Sequence, residues 1–275
     1  MKRKISLLLL TMASAVGLYS NASATPVSVT VENLTPGGGL YFTPVWVGFH
    51  DGTFDSFDIG SIASGSVEAL AEGGDVMGLR TDFGSVAGGK DGVVLAPAGF
   101  GGAPVFDPGD SDSLTLDLDP MTNRFFSFAS MIIPSNDAFI GNDDPLAYQI
   151  FDATGVFAGP LDILVLGTQI WDAGTEANTE LGAAFLALGG PSTDETGVIG
   201  THPGFNMPGN ILGGITAAGT TIDPVAGDFT SSGYQLARIS INRVPEPQII
   251  AMFGLGLGLM TFVGKKRREK DHSQA

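Results

Sequence analysis

Val27, Val29 and Val31 alternate with Ser28, Thr30 and Glu32 near the start of the chain. A period of two residues puts one set on each face, so this segment reads as a half-buried β-strand. Beyond the turn Thr35-Pro36-Gly37-Gly38-Gly39, the aromatic-rich run from Leu40 to Phe49 predicts a second strand. The period then changes. Ile62, Ala63, Val67, Leu70 and Ala71 follow helical spacing, and Gly73-Gly74 supplies the stop, so one short helix is expected over 62–72. From Thr81 to Gly109 glycine is frequent and periodicity weak, which predicts a long surface loop with one strand at Val93-Val94-Leu95. Alternation returns at Leu114, Leu116 and Leu118. Arg124 to Ile133 is apolar enough for a central strand, and Leu161 to Ile170 and Tyr234 to Asn242 add two more. Many strands, turns rich in Gly, Pro and Asp, and little helix together predict an all-β fold, an antiparallel β-sandwich.

The two ends follow a different logic. Met1-Lys2-Arg3-Lys4 is a basic start, Ile5 to Leu18 is apolar, and Ala22-Ser23-Ala24 is an A-x-A site, so residues 1–24 read as a signal peptide. At the other end Val244-Pro245-Glu246-Pro247 precedes an apolar stretch over 248–264, followed by Lys265-Lys266-Arg267-Arg268. As a helix that stretch is about 26 Å long, close to the hydrocarbon thickness of a bilayer. The basic cluster behind it would stay in the cytoplasm. This order of parts over 244–275 resembles the PEP-CTERM sorting signal of Gram-negative bacteria. The resemblance implies a transient partner, an exosortase-type membrane protease that reads Pro245-Glu246-Pro247. It also implies transient anchoring in the inner membrane, then delivery to the cell surface or the extracellular polysaccharide matrix. An ordinary single-span tail anchor is the other reading.

Between these signals lies one domain, residues 25–243. Of 13 Lys+Arg in the chain only Arg80, Lys90, Arg124, Arg238 and Arg243 fall inside it, whereas all but three of the 29 Asp+Glu do. The domain is therefore more acidic than the formal charge of −16 for the whole chain suggests. Such a surface repels nucleic acid and anionic lipid and attracts divalent cations. The absence of cysteine excludes disulfides, thiolate nucleophiles and thiolate metal sites. With His50 and His202 alone in the domain, the abundant oxygen ligands favour calcium over a transition metal.

Two acidic segments each follow an apolar strand: Met131-Ile132-Ile133-Pro134-Ser135-Asn136-Asp137 and Trp171-Asp172-Ala173-Gly174-Thr175-Glu176. Carboxylates on loops at the ends of adjacent strands can converge on one cation, with backbone carbonyls and water completing six to eight oxygens. Here the sequence resembles the spondin N-terminal domain family, through Pro134-Ser135-x-Asp137-x-x-Ile140-Gly141 and Trp171-Asp172-Ala173-Gly174-Thr175-Glu176. Further support comes from Val29-Thr30-Val31-x-Asn33-Leu34-Thr35, His50-Asp51-Gly52 and Ala69-Leu70-Ala71-Glu72-Gly73-Gly74. The resemblance implies a C2-like sandwich holding calcium, with Asp137, Asp172 and Glu176 as ligands. The family generally has aspartate where this chain has Glu176.

Other acids and histidines carry weaker signals. Asn142-Asp143-Asp144 reads as a solvated turn or as an extension of the calcium site. His50-Asp51 lacks an accompanying nucleophile elbow, and Asp107/Asp110/Asp112 or Asp117/Asp119 would need a cleft to act as a glycosidase pair. His202 lies in a turn-rich stretch with no assigned role. The glycine runs, Gly99-Phe100-Gly101-Gly102 among them, lack the lysine and helix of a phosphate loop. The expectation is a non-enzymatic, calcium-binding adhesion or matrix module, with polysaccharide or a surface protein as partner. The alternative is a secreted hydrolase acting on polysaccharide or peptide.

Overall fold

The computed structural model describes residues 24–96 and 100–245. The signal peptide expected over 1–24, save its last residue, and the apolar stretch over 248–264 lie outside the described residues, as does the expected sorting motif beyond Pro245. Among the described residues no helix is long and apolar enough to cross a membrane.

Among the described residues eleven strands form two antiparallel sheets. The smaller sheet is built from β1 (Thr25–Asn33), β5 (Ser111–Leu118), β8 (Leu161–Leu166) and β11 (Gln235–Arg243), in the order β5-β1-β11-β8. The larger contains β3 (Val45–His50), β4 (Lys90–Val94), β6 (Phe125–Ile133), β7 (Ala138–Gly141), β9 (Trp171–Asp172) and β10 (Gly200–Thr201). Its order is β10-β9-β7-β6-β3-β4, and β2 (Tyr41–Phe42) pairs with β6 off that path.

The alternation along β1 does what its period implies. Val27, Val29 and Val31 are fully buried and meet Ile239, Ile241, Val47 and Phe126 in the core between the sheets. Ser28, Thr30 and Glu32 face outward, where Thr30 bonds Ser113 at 2.8 Å and Glu32 meets Arg238 at 3.2 Å. The larger sheet is covered on both faces, which explains why β6 is buried along nearly its whole length and mostly apolar rather than alternating, Ser127 and Ser130 being its only polar residues. Its second face carries Trp46, Ala129 and Phe139 into another core, under two helices.

Two helices form where one was expected. The first, α1 (Gly65–Gly73), starts later than the periodicity suggested, because Ser64 caps it by accepting the Val67 N–H at 3.2 Å. Ile62 thus precedes the helix and is exposed. Gly74 ends it with φ of 70°, a left-handed geometry that glycine adopts without Cβ strain. The second, α2 (Met77–Phe83), escapes the sequence reading because only Leu79 and Phe83 mark its apolar stripe. Both side chains are buried, and Phe83 packs edge-on against Trp46 at 5.4 Å.

Other boundaries shift for local reasons. The single strand expected over 40–49 is split into β2 and β3, because the pairing with β6 slips by one residue across Thr43-Pro44. Pro44 has no N–H for the ladder, and such a slip is a bulge. The strand expected over 161–170 stops at Leu166, where a 3-10 turn over Gly167–Gln169 begins. Strands β7, β9 and β10 are too short for periodicity to reveal.

Candidate functional site

Pairing of β9 with β7 sets Asp172 opposite Ala138, next to Asp137 in the chain. The two acidic segments singled out from the sequence thus lie side by side at one end of the larger sheet. Asp137 is fully buried. Its Oδ2 accepts the Thr175 N–H at 2.8 Å, the Glu176 N–H at 3.1 Å and the Thr175 hydroxyl at 3.3 Å. Its Oδ1 is buried with no hydrogen-bond partner among the described residues. Burial pushes the Asp137 carboxyl up to about 6; the Glu176 and Thr175 donors oppose this, and the nearby Asp172 charge adds to it.

Asn136, the neighbour of Asp137, ties down the same loop. Its Oδ1 accepts the Glu180 N–H at 2.9 Å, and its Nδ2 donates to the Leu181 carbonyl at 3.1 Å and to Glu176 Oε2 at 3.4 Å. Asp172 folds its own loop by accepting the Gly174 N–H at 2.8 Å on Oδ1, while Oδ2 takes a short bond from Asn178 Nδ2. Gly174 has φ of 68°, and a Cβ there would sit 2.8 Å from the Val198 nitrogen, so the close approach of the segments after β9 and before β10 needs glycine.

Two further groups border this cluster that the sequence reading did not assign to it. Glu72, at the end of α1, has its carboxyl raised by burial, against a hydrogen bond from Thr175, with repulsion from Glu176, Glu68 and Asp137. It belongs to the motif Ala69-Leu70-Ala71-Glu72-Gly73-Gly74, which was the available signal. His202 is buried against Phe205 and Phe229, with ring centroids 5.5 and 5.4 Å away. Its Nδ1 accepts the Gly204 N–H at 3.1 Å, which leaves the proton on Nε2, and Nε2 has no partner among the described residues. Burial lowers the His202 pKa to about 4 despite the Asp172 charge, so the ring is neutral at physiological pH.

This arrangement suits a hard cation in one respect and is incomplete in another. An orphaned carboxylate oxygen on a fully buried aspartate, beside Asp172, Glu176 and Glu72, is the environment that positive charge would stabilise. Among the described residues, however, no three His, Cys, Asp or Glu side chains converge closely enough to hold an ion as they stand. Asp172 is turned towards Gly174 and Asn178, and Glu176 towards Asn136.

Elsewhere the candidates resolve into structural roles. His50 Nε2 lies 3.0 Å from Ser127 Oγ, both groups buried. The Gly52 N–H donates to His50 Nδ1 at 3.0 Å, so Nε2 carries the proton and gives it to Ser127. A histidine that donates to the serine cannot act as its base. Asn142-Asp143-Asp144 is a turn: Asn142 accepts the Phe128 N–H, Asp143 that of Ile59 and Asp144 that of Leu146. Asp107 keeps one buried oxygen without a partner, and burial beside Asp110 raises its pKa.

Neither models of known protein families nor curated proteins match this chain.

Proposed function

We propose that this chain is an exported, calcium-stabilised binding module of the adhesive, matrix-associated kind, as its resemblance to the spondin N-terminal domain family implies. The observation that carries the reading is Asp137, fully buried with Oδ1 unpartnered and its carboxyl raised to about 6. Asp137, Asp172 and Glu176 would hold the ion, with Glu72 as a further acid from α1. Calcium would supply positive charge that offsets the buried carboxylates and joins the loops after β6 and β9. Its occupancy at a hundred times the dissociation constant contributes about 2.7 kcal/mol to stability. Asp172 and Glu176 would have to exchange their present donors for the ion.

The ends of the chain complete the reading. A signal peptide over 1–24 and a PEP-CTERM signal over 244–275, with a spanning helix at 248–264, would route the domain through an exosortase-type protease to the surface or polysaccharide matrix. Against the alternative, a secreted hydrolase, stands the proton arrangement at His50 and Ser127, which disarms the one Ser–His pair at hydrogen-bond distance among the described residues. Isothermal titration of the purified protein with calcium tests the metal reading. One ion per chain, lost in Asp137→Asn, is expected; a titration without heat, or one unchanged in the variant, refutes it. Deletion of 244–275 tests the sorting signal: undiminished surface display would overturn it.

A further inference from the structure

Beside the acidic loops, residues 179–180 and 206–210 line a shallow depression of about 480 Å³, largely open to solvent and lined mainly by polar atoms. Its size falls within the range of roughly 300–1,000 Å³ common for small-molecule sites. Glu180 is the one buried residue of its lining. The residue is almost fully buried and held at φ of 61°, in the left-handed region that non-glycine residues seldom enter. Its Oε1 accepts the Asn206 N–H at 2.5 Å, and its Oε2 accepts the N–H groups of Asn210, by a short bond, and of Ile211, at 3.0 Å. Three backbone donors on one carboxylate fold the 206–211 loop around it and offset its charge locally.

The walls then present a specific chemistry. Asn206 spends its Nδ2 on the Asn178 carbonyl at 3.3 Å and keeps its Oδ1 as an acceptor. The Asn210 amide forms no hydrogen bond among the described residues and offers both a donor and an acceptor, and Thr179 contributes a hydroxyl. Met207 stands two-thirds exposed at the rim, beside Pro208, an apolar platform next to the polar walls. Among the described residues no lysine, arginine or histidine lines the cavity, and the whole chain is strongly acidic, so an anionic ligand finds no counter-charge there. Glu180 is the one acid in the lining, too few for a calcium ion. An apolar ligand would strand the amides without partners. Paired amides, a carboxylate with one lone pair to spare on Oε1 and one apolar ledge match a polyhydroxylated ring with an apolar C–H face.

We propose that this cavity is a binding site for a neutral saccharide unit, held by Asn206, Asn210, Thr179 and Glu180 with Met207 and Pro208 against the ring face. The proposal deepens the binding-module reading and rests on it, while naming a ligand class and a site away from the acidic cluster. The two are nevertheless joined. Asn206 is anchored on Asn178, and Asn178 bonds Asp172.

The test is isothermal titration of the purified protein with cellohexaose, maltohexaose and laminarihexaose, with hexagalacturonate as the anionic control, each with calcium present. Saturable binding of at least one neutral oligosaccharide is expected, at least tenfold tighter than hexagalacturonate. Asn210→Ala should weaken it at least tenfold at unchanged melting temperature, since that amide supports no other part of the fold. Met207→Ala, at an exposed position, should weaken it without affecting the fold. No binding of any neutral oligosaccharide, equal binding of hexagalacturonate, or full binding by both variants overturns the proposal. A calcium-dependent melting shift without saccharide binding sinks this site alone; saccharide binding without that shift sinks the calcium reading alone.

Discussion

Asp137 should make the protein less stable as pH rises when calcium is absent. Its pKa is about 6 in the folded chain against 3.8 for the free side chain. Because the folded value is raised, the folded state keeps the proton more tightly than the unfolded state. Stability from this group is therefore greatest below pH 3.8, declines as pH rises through 3.8 to 6, and stays low above. Each pKa unit is worth about 1.4 kcal/mol, so the full loss is about 3 kcal/mol, of which roughly 2.5 kcal/mol falls between pH 4 and 7.5. Asp137→Asn removes the titration while retaining an oxygen for the Thr175 and Glu176 donors. The new amide NH₂ at the Oδ1 position costs about 1–3 kcal/mol, but that cost does not vary with pH. Urea unfolding followed by circular dichroism in calcium-free buffer, at intervals from pH 4 to 7.5, isolates the effect as the difference between the two proteins. Other titrating groups, such as Asp55 and Asp107, are common to both and cancel. The variant should gain roughly 2–3 kcal/mol relative to the wild type across that range. Parallel curves would show that Asp137 is not held in a desolvated, unpartnered state.

Three further changes probe the frame that carries the site. Trp46→Ala opens a hole between the larger sheet and the helices, where the indole meets Phe54 and Phe83, and should cost about 3–5 kcal/mol by urea denaturation. Ser64→Ala removes the side-chain cap of α1 and should cost about 1 kcal/mol, with a small loss of helical ellipticity. Gly174→Ala forces a Cβ towards the Val198 nitrogen at a positive φ and should destabilise by more than about 1 kcal/mol; amide exchange should rise first over 172–178 and 197–199.

The sequence made the sandwich readable wherever a strand was long and one of its faces met water. At β1 and β5 the alternation is nearly residue-perfect, since one side packs on the core and the other carries Ser, Thr and Asp. It fell short where tertiary contacts decide. Leu79 and Phe83 hold α2 against Trp46, although Gly78 weakens its intrinsic helical preference. Strand β9 has only Trp171 and Asp172, so nothing but its pairing with β7 and β10 marks it. The acidic segments were identified as neighbours because each follows a strand, and the register of β7 with β9 brings them together. The roles of Glu180 and His202 were not legible. Each depends on backbone N–H groups from 204–211, whose position no local pattern encodes.

Thermal unfolding with calcium titrated against chelator, on the wild type and on Asp172→Ala, tests the central claim most directly. The account predicts a melting temperature that rises with calcium by several degrees, as about 2–4 °C per kcal/mol implies for a domain of this size, and a response abolished in the variant. A wild-type melting temperature indifferent to calcium, or a rise that persists in Asp172→Ala, would contradict it.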